Sequence, residues 1–178
     1  MTTFTYPAKV ETPAEKMYRE DRAIFDTIPL EVMDDETPYD AELTGYADYF
    51  SSNGYLGWRG NRIPDLVRKR AFYLDPQSMV GQPATYRIGS DCYPLVVVKV
   101  SKSGAKIWLN KVEATRTDSN GMSESQDYSY DIEGASKVAT DNSMIGTRRK
   151  RGDYAAQGCG AYAHISVGYA KKYSDPHF

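Results

Sequence analysis

Residues 89–112 constrain this chain more than any other stretch. Two runs rich in β-branched and aromatic residues, 93–101 and 106–116, flank a Ser103-Gly104 turn, the pattern of an antiparallel hairpin in a small sheet or barrel. Side chains alternate along a strand, so Ile107 and Leu109 are expected on one face, with Trp108 and Asn110 on the other. Val96, Val98 and Val100 are expected to share a face by the same rule. Further strands are expected over 84–88, 126–132, 143–150 and 162–167, separated by Gly, Asp, Asn and Ser turns. Short strands at this spacing point to a bent five- or six-stranded sheet or an SH3-like barrel. The polar segment 117–125 is an excursion from it.

Ahead of Pro83 the period is helical. Thr12-Pro13-Ala14-Glu15 supplies an N-cap, a proline at the first helical position and a capping box, opening a helix that reaches about Thr27. Ala14, Met17, Tyr18, Ile24, Phe25 and Ile28 fall on its apolar stripe. A second helix is expected over 39–52, stopped by Asn53-Gly54, with Leu43, Tyr46, Ala47 and Phe50 inward. A third spans 64–74, and Pro76 blocks its continuation. The expected fold class is α+β: an acidic helical N-terminal portion, 1–78, packed on a small SH3-like or bent-sheet β-barrel, 79–178.

The net charge of −2 conceals a division: residues 1–58 carry 12 acidic and 4 basic side chains, and residues 59–178 carry 12 and 18. Between Arg22 and Arg59 there is no cation, while Asp26, Glu31, Asp34, Asp35, Glu36, Asp40, Glu42 and Asp48 accumulate. Such a segment can cover a basic face of its own chain, or imitate phosphate spacing in a nucleic-acid channel. Two cysteines and the absence of a basic then apolar leader argue against secretion and a disulfide framework, so the cytoplasm is the expected compartment. No window approaches the ~18 apolar residues of a membrane span. A closing Phe178 is expected to pack on the core or on a partner.

Reactive constellations are scarce. Cys159 lies between two glycines five residues before His164, which suits either a thiolate–imidazole pair or a tight turn with a small residue; the turn is favoured. Cys92, Cys159, His164 and His177 could total four zinc ligands but lack CxxC or HxxxH spacing, so neither metal nor cofactor is expected. There is no GxxxxGK[ST] or GxGxxG loop, and Asp34-Asp35 and Asp40 with Glu42 suit a solvated acidic stretch. No matched nucleophile, base and oxyanion donors are present, so no catalysis is expected.

What remains is binding chemistry. Arg59, Arg62, Arg68, Lys69 and Arg70 surround the third helix, and Arg148, Arg149, Lys150 and Arg151 precede Tyr154. Arg interleaved with Tyr suits phosphate contact and base stacking, whereas a solvated helix face and edge-strand charges account for the same residues equally well. Trp, Tyr and Arg also dominate protein-binding hot spots. The candidate contact residues are therefore Tyr46, Tyr49, Trp58, Arg59, Arg62, Arg148, Arg149, Arg151 and Tyr154. Trp58, in Gly57-Trp-Arg-Gly60, is either an exposed turn residue or core beneath a loop.

The hairpin, the 115–130 segment, the Thr147-Arg-Arg-Lys-Arg151 run and the closing 169–178 segment together resemble short, uncharacterised phage and prophage proteins over roughly the C-terminal half. That resemblance implies a small β-rich fold, a mobile-element origin and hence a host cytoplasm, and it carries neither activity nor site. The leading expectation is a non-enzymatic phage-type accessory protein that binds and modulates or inhibits a host macromolecular complex, protein or nucleoprotein. Direct nucleic-acid binding through the basic clusters is the second class. A small-molecule binder, for instance of a nucleotide signal, with Arg and Tyr at a barrel mouth, is the third.

Overall fold

The computed structural model describes residues 11–29, 37–121, 123–139, 143–160 and 162–177. Glu31, Asp34, Asp35 and Glu36 of the acidic run lie outside them, as does Phe178. The chain divides into two compact units at Arg70/Ala71, earlier than the 78/79 division expected, because Phe72 and Met79 pack into the barrel core.

The first unit holds α1 (Pro13–Phe25), α2 (Asp40–Asn53) and the opening of α3 (Ile63–Leu74). The capping box forms as expected: Thr12 Oγ1 accepts from the Glu15 N–H at 3.2 Å, and the Thr12 N–H donates to the Glu15 carboxylate at 2.8 Å. Gly54 ends α2 in the left-handed conformation, φ 73°, donating its N–H to the Phe50 carbonyl. Leu43, Tyr46, Ala47 and Phe50 are all buried, with Phe25, Ile28, Leu56, Ile63 and Leu66 around them. Only the C-terminal end of the expected α1 stripe is core. Met17 and Tyr18 are half exposed, and Tyr18 merely lays its ring on Phe50 at 5.9 Å. Across the unit, the Asp40 carboxylate accepts from Arg70 Nε at 2.7 Å, both side chains buried.

The second unit contains β1 (Pro83–Ile88), β2 (Asp91–Val100), β3 (Lys106–Lys111), β4 (Ala114–Arg116), β5 (Tyr128–Tyr130), α4 (Ile132–Ser136), β6 (Met144–Arg148), β7 (Tyr154–Ala156) and β8 (Ala163–Val167). Six strands close an antiparallel barrel in the order β1-β2-β3-β6-β7-β8, while β4 and β5 form a separate ribbon. Closure leaves the barrel without an unpaired edge. The expected turn is present: Gly104, φ 67°, donates to the Ser101 carbonyl, and a Cβ there would meet Pro76 at 2.9 Å.

Ile107 and Leu109 point into the barrel as expected, but the valines of β2 do not follow simple alternation. Val97 pairs with Leu109 and Lys99 with Trp108, leaving Val98 as an extra residue in a β-bulge. The interior therefore takes Leu95, Val97 and Val100, and the expected common face of Val96, Val98 and Val100 does not exist. The expected strand 106–116 is cut in two. Beside Cys92, the backbone slot that a longer β3 would fill is taken by Tyr173, whose N–H and carbonyl both bond Cys92. The expected strand 126–132 shortens to β5, because Asp131 caps α4 through the Gly134 N–H at 2.8 Å. Asn110 is buried on the outer face of β3. Its amide donates to the Ala135 and Val138 carbonyls and accepts from the Ser143 hydroxyl.

At Gly146 of β6 the barrel wall leaves little room for a side chain: a Cβ would lie 2.9 Å from Ile107 Cγ1 and 3.1 Å from Tyr154 Cβ. Gly146→Ala is expected to cost about 1–3 kcal/mol through overpacking. Chemical denaturation followed at Trp108 measures it, and an unchanged midpoint would argue against so close an approach. Among the described residues, no helix is long and apolar enough to cross a membrane.

Candidate interaction surface

Tyr46 and Tyr49 sit three residues apart on α2, so their side chains are neighbours on one helix face. Past the Gly54 turn, Gly57 (φ 58°) admits a short 3₁₀ turn, Gly57–Asn61, that presents Trp58 and Arg59 to the same face. The Arg59 guanidinium lies 3.6 Å from the Tyr49 ring centroid and 4.8 Å from that of Trp58. Trp58 meets Tyr46 edge-on at 6.1 Å and is 60% exposed, which resolves its two readings in favour of the exposed turn.

Polar bonds fix the aromatic groups. Tyr46 donates its hydroxyl to Glu42 Oε1 at 2.5 Å, and the same oxygen accepts Arg62 at 3.0 Å. Burial and the bond to Glu42 both push the Tyr46 hydroxyl above its ordinary value. Tyr49 donates to the Tyr55 hydroxyl at 3.0 Å, with the rings edge-to-face at 5.7 Å, and that bond raises Tyr55. Each exposed cation–π contact is worth about 0.5–1 kcal/mol, enough to hold Arg59 in place before any partner arrives. Five of the nine expected residues thus meet: Tyr49, Trp58, Arg59 and Arg62 form one patch, and Tyr46, buried in the core beneath it, supports Trp58 and is corrected as a contact residue. Tyr55 was not foreseen; nothing in its sequence neighbourhood marks it, and only the return of the chain after Gly54 brings it to Tyr49.

The other four do not form a surface. Tyr154 is core: its hydroxyl donates to the Gly104 carbonyl at 3.0 Å inside the barrel, which corrects its assignment as a contact residue. Arg149 bonds Asp153 and the Ala163 carbonyl, and Arg148 lies over the Tyr73 ring at 4.7 Å. Arg151 is exposed beside Lys150. Around α3, Arg68 and Lys69 share Asp65, and Arg70 is the buried partner of Asp40. Most of the expected cations are therefore engaged within the chain.

Cys159 is exposed and accepts the Tyr86 hydroxyl at 3.4 Å, which with burial pushes Tyr86 up to about 12. Cys92 is buried. Among the described residues, the ligand-type atoms that gather within 4.8 Å belong to Glu124, Asp175 and His177; of the four residues weighed for zinc only His177 is among them. They satisfy one another: His177 Nε2 is 3.2 Å from Glu124, the His177 N–H donates to Asp175, and Tyr173 donates to Glu124. No family model matches this chain, and no curated protein or solved structure matches it.

Proposed function

We propose that this chain is a non-enzymatic binding protein whose first unit docks on a protein partner through the Tyr49–Tyr55–Trp58–Arg59–Arg62 patch. The observation that carries the reading is the exposed Trp58 with Arg59 laid across it and Tyr49. Large aromatic area with a pre-positioned guanidinium is the composition of an interface hot spot, and groups already ordered lose less freedom on binding. The resemblance of the C-terminal half to phage and prophage proteins favours a host macromolecular complex in the host cytoplasm as the partner. Direct nucleic-acid binding has less support, since Arg68, Lys69, Arg70 and Arg149 already hold acidic or carbonyl partners and would release few condensed counterions.

The test is affinity capture from bacterial lysate, with and without nuclease. Trp58→Ala/Arg59→Ala is expected to lose a nuclease-resistant protein partner while the first unit stays folded, the two cation–π contacts removed costing about 1–2 kcal/mol. Capture that disappears with nuclease would transfer the reading to nucleic acid. A folded double variant that still captures the same partner would refute the patch.

A further inference from the structure

The barrel carries a second feature unrelated to the patch. At the open end where β2 begins and β3 ends lies a cavity of about 390 Å³ lined by Tyr86, Tyr93, Leu95, Val112, Met144 and the two lysines Lys111 and Lys172, with Pro94 and Ala114 completing the lining. Register explains its composition. Tyr86 pairs with Tyr93 and Leu95 with Lys111, so these four rise from the inward face of neighbouring strands. Lys111 stands two residues beyond the buried Leu109, a cation on the core face of β3 at the point where the barrel opens. Lys172 comes from the closing segment. Its backbone N–H is held by the Tyr130 hydroxyl at 2.9 Å and its ammonium lies 4.2 Å from the Tyr93 ring centroid. Among the described residues, neither lysine is in an ion pair, and none of the lining side chains is acidic.

We infer that this mouth binds a small aromatic organic acid, its ring between the Tyr86–Tyr93 wall and Met144 and its carboxylate between Lys111 and Lys172. Mouths of barrels are recurrent ligand sites, and the volume lies in the range of small-molecule pockets, about 300–1,000 Å³. The aromatic wall is already built: the two tyrosine rings lie 5.9 Å apart. Charge complementarity fixes the sign of the ligand. A nucleotide fits less well, because the hydroxyls that would read a base edge are taken, Tyr93 by Asp91 at 3.0 Å and Tyr86 by Cys159 at 3.4 Å. An uncompensated base edge or ribose in an apolar wall is costly.

The probe is 2-naphthoate, with uncharged 2-naphthamide and AMP as comparisons, titrated into the full chain by NMR. Saturable one-to-one naphthoate binding is expected, perturbing Tyr86, Tyr93, Leu95 and Met144, with naphthamide markedly weaker. Lys111→Met/Lys172→Met keeps the alkyl stems and removes the charges. It is expected to weaken naphthoate at least tenfold and leave naphthamide unchanged. Ala114→Leu fills part of the cavity without removing either charge and is expected to weaken both probes. Absence of saturable naphthoate binding, equal affinity for acid and amide, or an unaltered affinity in the double variant would each overturn the inference. AMP binding more tightly than naphthoate would overturn it in favour of a nucleotide site. Since Trp58 and Arg59 are not involved, loss of partner capture in the patch variant leaves this result untouched.

Discussion

Asp40→Ala is expected to destabilise the first unit by about 3–5 kcal/mol, the range for removing one partner of a buried ion pair. Asp40 is 1% exposed and Arg70 6%, so the substitution takes a buried anionic partner from a guanidinium held away from water. The loss is compounded because Asp40 Oδ2 also accepts the Thr37 N–H at 2.8 Å, ahead of the first turn of α2. Asp40→Asn retains that acceptor and should fall between wild type and alanine. Asp40→Ala/Arg70→Met removes both charges and should recover much of the loss, since the desolvation cost of the pair disappears with it. Urea denaturation followed at Trp58 in a Trp108→Phe background measures all three. A double variant no more stable than Asp40→Ala would mean that Arg70 finds solvent or another anion on its own.

The same pair gives a pH dependence of defined sign. Burial raises the Asp40 carboxyl, but the bonds from Arg70 and from the Thr37 backbone and hydroxyl outweigh it, leaving it below the ordinary carboxylate value. A folded-state value below the unfolded one contributes stability that is fully present above about pH 4 and is lost as pH falls through the folded value. The first unit should therefore weaken on acidification below about pH 4, and Asp40→Asn should remove this component.

Asp40 and Arg70 also mark what a sequence can and cannot disclose. Thr12, Pro13 and Glu15 act within four residues, and Gly54 ends a helix by its own backbone conformation, so both helix boundaries were readable. The hairpin was readable for the same reason: Ser103-Gly104 and the flanking β-branched runs are local. An ion pair thirty residues apart has no local signature, and Asp40 reads as one more member of an acidic run. Tyr154 misled because a Tyr after four cations matches a binding surface, whereas the three-residue strand that buries it is too short for any period to emerge. The patch was legible as residue types and not as neighbours. Stacking of Arg59 on Tyr49 depends on how the chain returns after Gly54, which composition does not specify.

The bulge in β2 sets the other large effect. Leu109→Ala is expected to cost about 2–5 kcal/mol, because Leu109 is 1% exposed on the barrel interior and the wall around it is tied on both sides, to Val97 and to Met144. A closed barrel has little freedom to collapse onto the void, which favours the upper part of that range. Denaturation followed at Trp108 in a Trp58→Phe background reads it, and a loss below about 0.5 kcal/mol would place Leu109 outside the core. The bulge is tested by two smaller truncations on the facing strand. Strict alternation from Val96 would bury Val98 with Val100, whereas the bulge buries Val97 opposite Leu109 and leaves Val98 half-buried and unpaired. Val97→Ala should therefore cost clearly more than Val98→Ala. The reverse order would restore simple alternation, move Lys99 out of register with Trp108 and carry the inward face of β2 away from the mouth that Leu95 and Lys111 define.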